Sequence, residues 1–105
     1  MRRLAYSPRA QADLTDIVDY VAYITGDDVA AYNAAQKLDA QCKKLAALPG
    51  TLGHPRNDLG EGLRTFPFGS YEIVFQYTSD ETLEIARIVS GKRDIRALFR
   101  KPSGS

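Results

Sequence analysis

Cysteine is nearly absent. Cys42 is the single one in 105 residues, so no internal disulfide can form. A reducing, cytoplasmic setting is the expectation, and Cys42, set in a helical pattern, is expected to pack as a small apolar residue. The one histidine and one cysteine show no metal-ligand spacing. No Gly-rich phosphate loop and no Gly-x-Ser-x-Gly elbow occurs, which excludes the usual signatures of nucleotide binding and serine hydrolysis. No apolar run approaches the ~18 residues that a membrane helix needs. The opening MRRLAYSPRA has two arginines but no apolar stretch behind them, so no secretory signal is expected. Net charge is also scarce, at +1. That argues against a protein that coats nucleic acid with its whole surface, and any electrostatic function must come from an uneven distribution.

Such unevenness is present. From Arg87 to Lys101 there are six basic residues (Arg87, Lys92, Arg93, Arg96, Arg100, Lys101) against one acid, Asp94, a local balance of 6 − 1 = +5. The segment follows an apolar run and suits an acidic partner. Its alternative reading is a solvated tail.

The apolar pattern sets the elements. Arg2–Tyr6 is a short strand candidate. Ser7-Pro8 pairs an N-cap with a proline at the first helical position, and Leu14, Ile17, Val18, Val21 and Ile24 then recur at helical steps. Asp13, Asp16 and Asp19 are expected on the other faces of this helix, in the half where its dipole favours anions. Gly26-Asp27-Asp28 ends it and caps a second helix. There Ala31, Ala35, Leu38, Cys42, Leu45 and Leu48 share one side, and Pro49-Gly50 stops it. Two such helices joined by a short turn form an antiparallel hairpin. Residues 50–62 are rich in Gly, Pro, Asn and Asp and read as a loop. His54 stands there in Gly53-His54-Pro55 with no partner visible, which argues against a general base.

Leu63–Phe68 reads as a strand with Pro67 marking an edge or a bulge, and Gly69-Ser70 as a two-residue hairpin turn. Tyr71–Thr78 alternates with period two. Thr82–Ser90 is apolar on both faces, as a central strand would be, except at Arg87. A cation there is expected either to snorkel toward a carboxylate such as Glu72 or Glu84, or to line a functional groove. Asp94–Arg100 fits one short helical turn. The order is β-α-α-β-β-β with a short helical turn, an α+β class. Residues 1–101 are expected to be one domain, with 102–105 a disordered tail.

Three blocks carry a family resemblance: SPRAQADLTDIVDYV, GLRTFPFGSYEIVFQY and IARIVSGKRDIRALF. In this order and at these separations the chain resembles the ParE toxins of the ParE/RelE superfamily, from Leu4 to Phe99. The resemblance implies an N-terminal strand and an antiparallel helical hairpin packed on a small, mostly antiparallel sheet. It implies the toxin of a type II toxin–antitoxin pair, without cofactor or metal. The partners it implies are DNA gyrase and a ParD-like antitoxin with a ribbon-helix-helix N-terminal half. Membrane or direct DNA binding by this chain is not implied. A homodimer, a heterotetramer and a larger complex with antitoxin stay open.

RelE-type members instead cut messenger RNA on the ribosome. They bring a Lys-x-Lys on the first strand after the loop, an Arg after the Gly-Tyr that opens the next strand, an Arg in Gly-Lys-Arg, and a Tyr six residues on. In this chain the lysine pair falls near Leu63–Thr65, where only Arg64 is basic. Glu72 follows Tyr71. Gly91-Lys92-Arg93 is kept, and Phe99 takes the tyrosine's place. An acid where phosphate must be held repels it, so no catalytic residue is assigned and a non-catalytic gyrase inhibitor is expected. The RelE-like ribonuclease is the alternative. Candidate target-binding residues are Arg64, Arg87, Lys92, Arg93 and Arg96. Candidate antitoxin-binding residues are Leu14, Ile17, Val21, Tyr71, Phe75, Arg87 and Arg93.

Overall fold

The computed structural model describes residues 2–91 and 95–99, with the backbone alone at Arg96 and Ala97. Strand β1 (Arg3–Tyr6) leads into helix α1 (Pro8–Thr25), followed by α2 (Asp28–Ala47), β2 (His54–Pro55), β3 (Arg64–Phe68), β4 (Tyr71–Ser79), β5 (Thr82–Ser90) and the short α3 (Ile95–Leu98). The expected α+β class and the strand–helix–helix–strand order hold. The helical turn expected over Asp94–Arg100 is seen as α3, while its expected cap, Asp94, lies outside the described residues.

The caps form as their chemistry requires. Ser7 is extended (φ −67°, ψ 158°), and its Oγ accepts from the Ala10 amide at 3.0 Å, with Pro8 behind it in the first turn. Gly26 closes α1 in the left-handed region, φ +66°, which a Cβ would disfavour. Asp27 then caps α2, its carboxylate accepting from the Val29 and Ala30 amides at 2.9 and 3.2 Å.

The sheet runs in the order β1-β5-β4-β3-β2. β1 is parallel to β5, and the other pairs are antiparallel. β5 is therefore interior, as its two apolar faces imply. Gly69 has φ +61° in the turn from Phe68 to Tyr71, and no other residue type is left-handed among the described residues. That is the requirement of a hairpin turn with glycine first. Pro67 faces Glu72 on β4, while β2 reaches only Thr65 and Arg64, so the proline sits where β3 is an edge.

Three expectations are corrected. The loop over 50–62 contains a strand: His54–Pro55 pairs with Thr65 and Arg64, so His54 is an exposed strand residue. Two residues are too few to carry a period, and their partners, Thr65 and Arg64, lie on a later strand. Leu48 is not core but the C-cap of α2, 41% exposed. Asp13 is not on an outer face but buried.

The core joins α1 and α2 to one face of the sheet through Ala10, Ile17, Leu38, Leu45, Ile73, Phe75, Leu83, Ile85 and Ile88. Ala31, on α2, is buried. Cys42 packs in the core as expected, and burial pushes its thiol up to about 11. Its neighbour Tyr6 donates to Asp39 Oδ1 at 2.6 Å. Burial first, and then that hydrogen bond, hold the Tyr6 phenol protonated far above its ordinary range.

Both groups stay neutral in the fold while the unfolded chain ionises, from about pH 8.5 for the thiol and about pH 10 for the phenol. Folded values above unfolded ones mean that the contribution is whole below pH ~8.5 and declines as pH rises toward 11. Urea midpoints should therefore fall between pH 8 and pH 10.5, and Cys42→Ala should flatten that fall. An unchanged pH dependence in Cys42→Ala would contradict the assignment.

Candidate functional site

β1 pairs with only the first half of β5, Thr82 to Ile85. Beyond Tyr6 the chain turns into α1, which runs beside the second half of β5. The backbone groups that would have met a longer β1 are answered by α1 instead. Ser7 Oγ donates to the Ala86 carbonyl at 2.8 Å, and the Ile88 amide donates to Asp13 Oδ2 at 2.9 Å. Along this stretch β5 shifts register against β4: Val74 faces Arg87 and Phe75 faces Ile85, which leaves Ala86 as an extra residue.

Arg87 reaches the same carboxylate. Its Nε donates to Asp13 Oδ2 at 2.9 Å and its Nη2 to Oδ1 at 3.1 Å, a two-pronged pair between residues only 9% and 8% exposed. Arg87 pairs with a carboxylate as expected, but it is buried rather than snorkelling, and its partner is Asp13 on α1, not Glu72 or Glu84. Glu84 accepts from Gln76 at 3.0 Å. Asp13 was legible in principle, because Ala10, Asp13 and Ile17 follow steps of three and four on the buried stripe of α1. An acid on an apolar stripe calls for a cation from the facing element.

Next to this pair lies an open cleft of about 510 Å³ between α1 and the far end of β4–β5, lined by Asp16, Ile17, Tyr20, Ser70, Tyr71 and Ser90. Ser70 was read only as part of the hairpin turn, and Tyr20 and Ser90 were not singled out in the sequence, which places no strong signal on them. The Gly91 amide donates to the Ser70 carbonyl at 2.8 Å, fastening the end of β5 to the hairpin turn. Gly91 is thus held beside Ser70 of the cleft lining, while Lys92, which follows it, lies outside the described residues.

The candidate cations are not equivalent. Arg64 donates from Nε to the Leu52 carbonyl at 2.6 Å and from Nη2 to the Gly53 carbonyl at 3.2 Å, clamping the chain ahead of β2. Arg87 is occupied by Asp13. Lys92 and Arg93 lie outside the described residues, and so does the side chain of Arg96. Among the candidate contact residues, Leu14, Val21 and Tyr71 flank the core and are half-buried, while Ile17 is almost covered. Phe75 has no exposed surface, so it supports the sheet and cannot itself meet a partner on this surface.

At the positions that RNA cleavage would use, Arg64 is held by carbonyls, Glu72 is half-buried opposite Pro67 and Val89, and Phe99 is half-buried without a hydroxyl. Among the described residues no group of three or more His, Cys, Asp and Glu could hold a metal ion. No helix among them is long and apolar enough to cross a membrane.

A helical hairpin on a mixed five-stranded sheet, with a parallel N-terminal strand against the last long one, defines the class: a small α+β fold. The family is given by sequence. The family model described as the ParE toxin of the type II toxin–antitoxin system, parDE, matches residues 4–95, and the chain belongs to that family. Among solved structures it is similar to a chain of the chromosomal ParDE toxin–antitoxin system from P. aeruginosa. The TM-score is 0.72 at 26% identity, over 86% of this chain and 96% of that one. A comparison with curated proteins finds no match.

Proposed function

We propose that this ParE-family chain arrests growth by binding DNA gyrase rather than by cutting RNA, and that a ParD-like antitoxin neutralises it. The observation that carries the reading is the state of Arg64. It is the one basic residue where a ribonuclease of this superfamily would bring cations to the scissile phosphate, and both of its engaged nitrogens are fixed on Leu52 and Gly53 carbonyls. Transition-state charge needs donors aimed at the reacting group, and these aim inward. Glu72 and Phe99 point the same way.

The segment Lys92, Arg93 and Arg96 supplies the acidic-surface contact. The cleft between α1 and the β4–β5 end, with Leu14, Val21 and Tyr71 near it, receives an antitoxin segment that folds on contact. Residues 1–101 act as one toxin domain.

Supercoiling by purified gyrase, with the full chain added, tests the proposal. The triple variant Lys92→Glu, Arg93→Glu, Arg96→Glu should inhibit at least tenfold less well. Wild-type inhibition should weaken with salt, since exposed charges are screened beyond about 8–10 Å at physiological ionic strength. Primer extension on translating ribosomes should show no cuts. Codon-specific cleavage at substoichiometric protein would overturn the binding reading, and undiminished inhibition by a folded triple variant would remove the basic segment from it.

A further inference from the structure

The tip of the helical hairpin is apolar, aromatic and acidic at once. Tyr20, Tyr23 and Ile24 near the end of α1, and Val29 and Tyr32 at the start of α2, are each more than half exposed, Tyr23 to 87%. On α1 the three lie at steps of three and four, so they share a face. The cause is visible in the packing. The stripe that is buried at Ile17 and half-buried at Val21 continues to Ile24, which is 57% exposed.

The charge around this patch has one sign. Residues 10–36 contain five aspartates and no lysine, arginine or histidine. Asp13 is held by Arg87, which leaves Asp16, Asp19, Asp27 and Asp28, all exposed. Exposed apolar surface of this kind marks an interaction site, and the surrounding charge decides the partner. A nucleic acid or an anionic membrane would be repelled. A second copy meeting this one tip to tip would bring eight aspartates together, twice the four named here. A copy meeting it tip to base would set the tyrosines against Lys43 and Lys44, where Leu48 is, among the described residues, the one large apolar residue more than a third exposed.

We infer that the hairpin tip is a docking surface for a protein segment that presents arginine or lysine beside apolar side chains. Arginine suits both features, since its guanidinium pairs with carboxylates and stacks on tyrosine faces. Tyr20 and Asp16 also line the cleft read above as the antitoxin's, but the residues tested below, Asp19, Tyr23, Asp28 and Tyr32, do not. A failure of either assignment therefore leaves the other standing.

Two synthetic helical peptides with the same leucine face test this, one flanked by arginines and the other by glutamates. Each carries one tryptophan, a residue this chain lacks, so peptide fluorescence reports binding to the full-length protein. The arginine peptide should bind at least tenfold more tightly than the glutamate one. That preference should be lost at 0.5 M salt, in Asp19→Lys/Asp28→Lys, and in Tyr23→Ser/Tyr32→Ser. All four changed positions are exposed, and thermal melts confirm that the variants fold. Equal binding, no binding by either peptide, or binding unchanged in the folded variants overturns the inference. So does a concentration-dependent dimer in sedimentation that disappears in Tyr23→Ser/Tyr32→Ser, which would give the patch to a second copy.

Discussion

Asp13→Ala is expected to be among the most damaging single changes in this chain. It removes a carboxylate that answers three donors at once: Arg87 Nε, Arg87 Nη2 and the Ile88 amide. Breaking a buried pair from one side typically costs about 3–5 kcal/mol, because the remaining charge is left uncompensated. Domains of this size hold only about 5–15 kcal/mol in total. The urea midpoint should fall by a third or more, with partial unfolding at growth temperature. The double variant Asp13→Leu/Arg87→Leu should regain much of the loss, since a buried pair replaced by apolar groups is often near neutral. It should not regain all of it, because the Ile88 amide stays without an acceptor, at about 1–3 kcal/mol. A loss under ~1 kcal/mol in Asp13→Ala would show that water reaches Arg87.

This pair also bears on toxicity. Arg87 was a candidate for both target and antitoxin contact, and its guanidinium is turned into the α1–β5 junction. Loss of activity in an Arg87 variant would first reflect loss of the fold. Any test at this position needs the double variant as its control: Asp13→Leu/Arg87→Leu separates a folded protein without the cation from an unfolded one.

The elements with strong local codes were legible in the sequence. Ser7-Pro8, Gly26-Asp27 and Gly69-Ser70 fix their caps and turn by local chemistry, and β4 and β5 follow from period and run length. What was not legible depends on distant contacts. β2 is defined only by Thr65 and Arg64 across the sheet. The burial of Asp13 could be read from its place on the α1 stripe, but its partners, Arg87 and the Ile88 amide, are set by where β1 stops. Ile24 illustrates the reverse error: its period matches the core residues, but it is more than half exposed, and period alone cannot report how far the covering extends. The same limit applies to Arg64, whose strand position suggested an exposed cation and whose guanidinium instead holds the loop.

That loop is the subject of the second large effect, Gly53→Ala. Gly53 has φ +74°, and a Cβ there would lie 2.5 Å from the Thr65 carbonyl oxygen and 3.0 Å from Phe75 Cζ. Neither neighbour can yield easily. Thr65 is paired on both sides, with Val74 and His54, and Phe75 is fully enclosed in the core. The segment itself is pinned by Arg64 on the Leu52 and Gly53 carbonyls and by the Leu52 amide, which donates to Tyr77 Oη at 2.8 Å. The left-handed conformation costs a Cβ-bearing residue about 1–2 kcal/mol, and forced overpacking adds about 1–3 kcal/mol. A loss of about 2–5 kcal/mol is expected from the two together. Gly26→Ala is the matched control, with φ +66° and nothing within 4 Å of its Cβ; it should lose only the conformational part. Thermal denaturation of the two variants separates the causes. Hydrogen exchange should show the Arg56 amide, which donates to the Leu63 carbonyl at 2.8 Å, losing protection in Gly53→Ala alone. Equal losses in the two variants would mean that the loop moves aside, and that the close approach of Gly53 to β3 is not what holds β2 on the sheet.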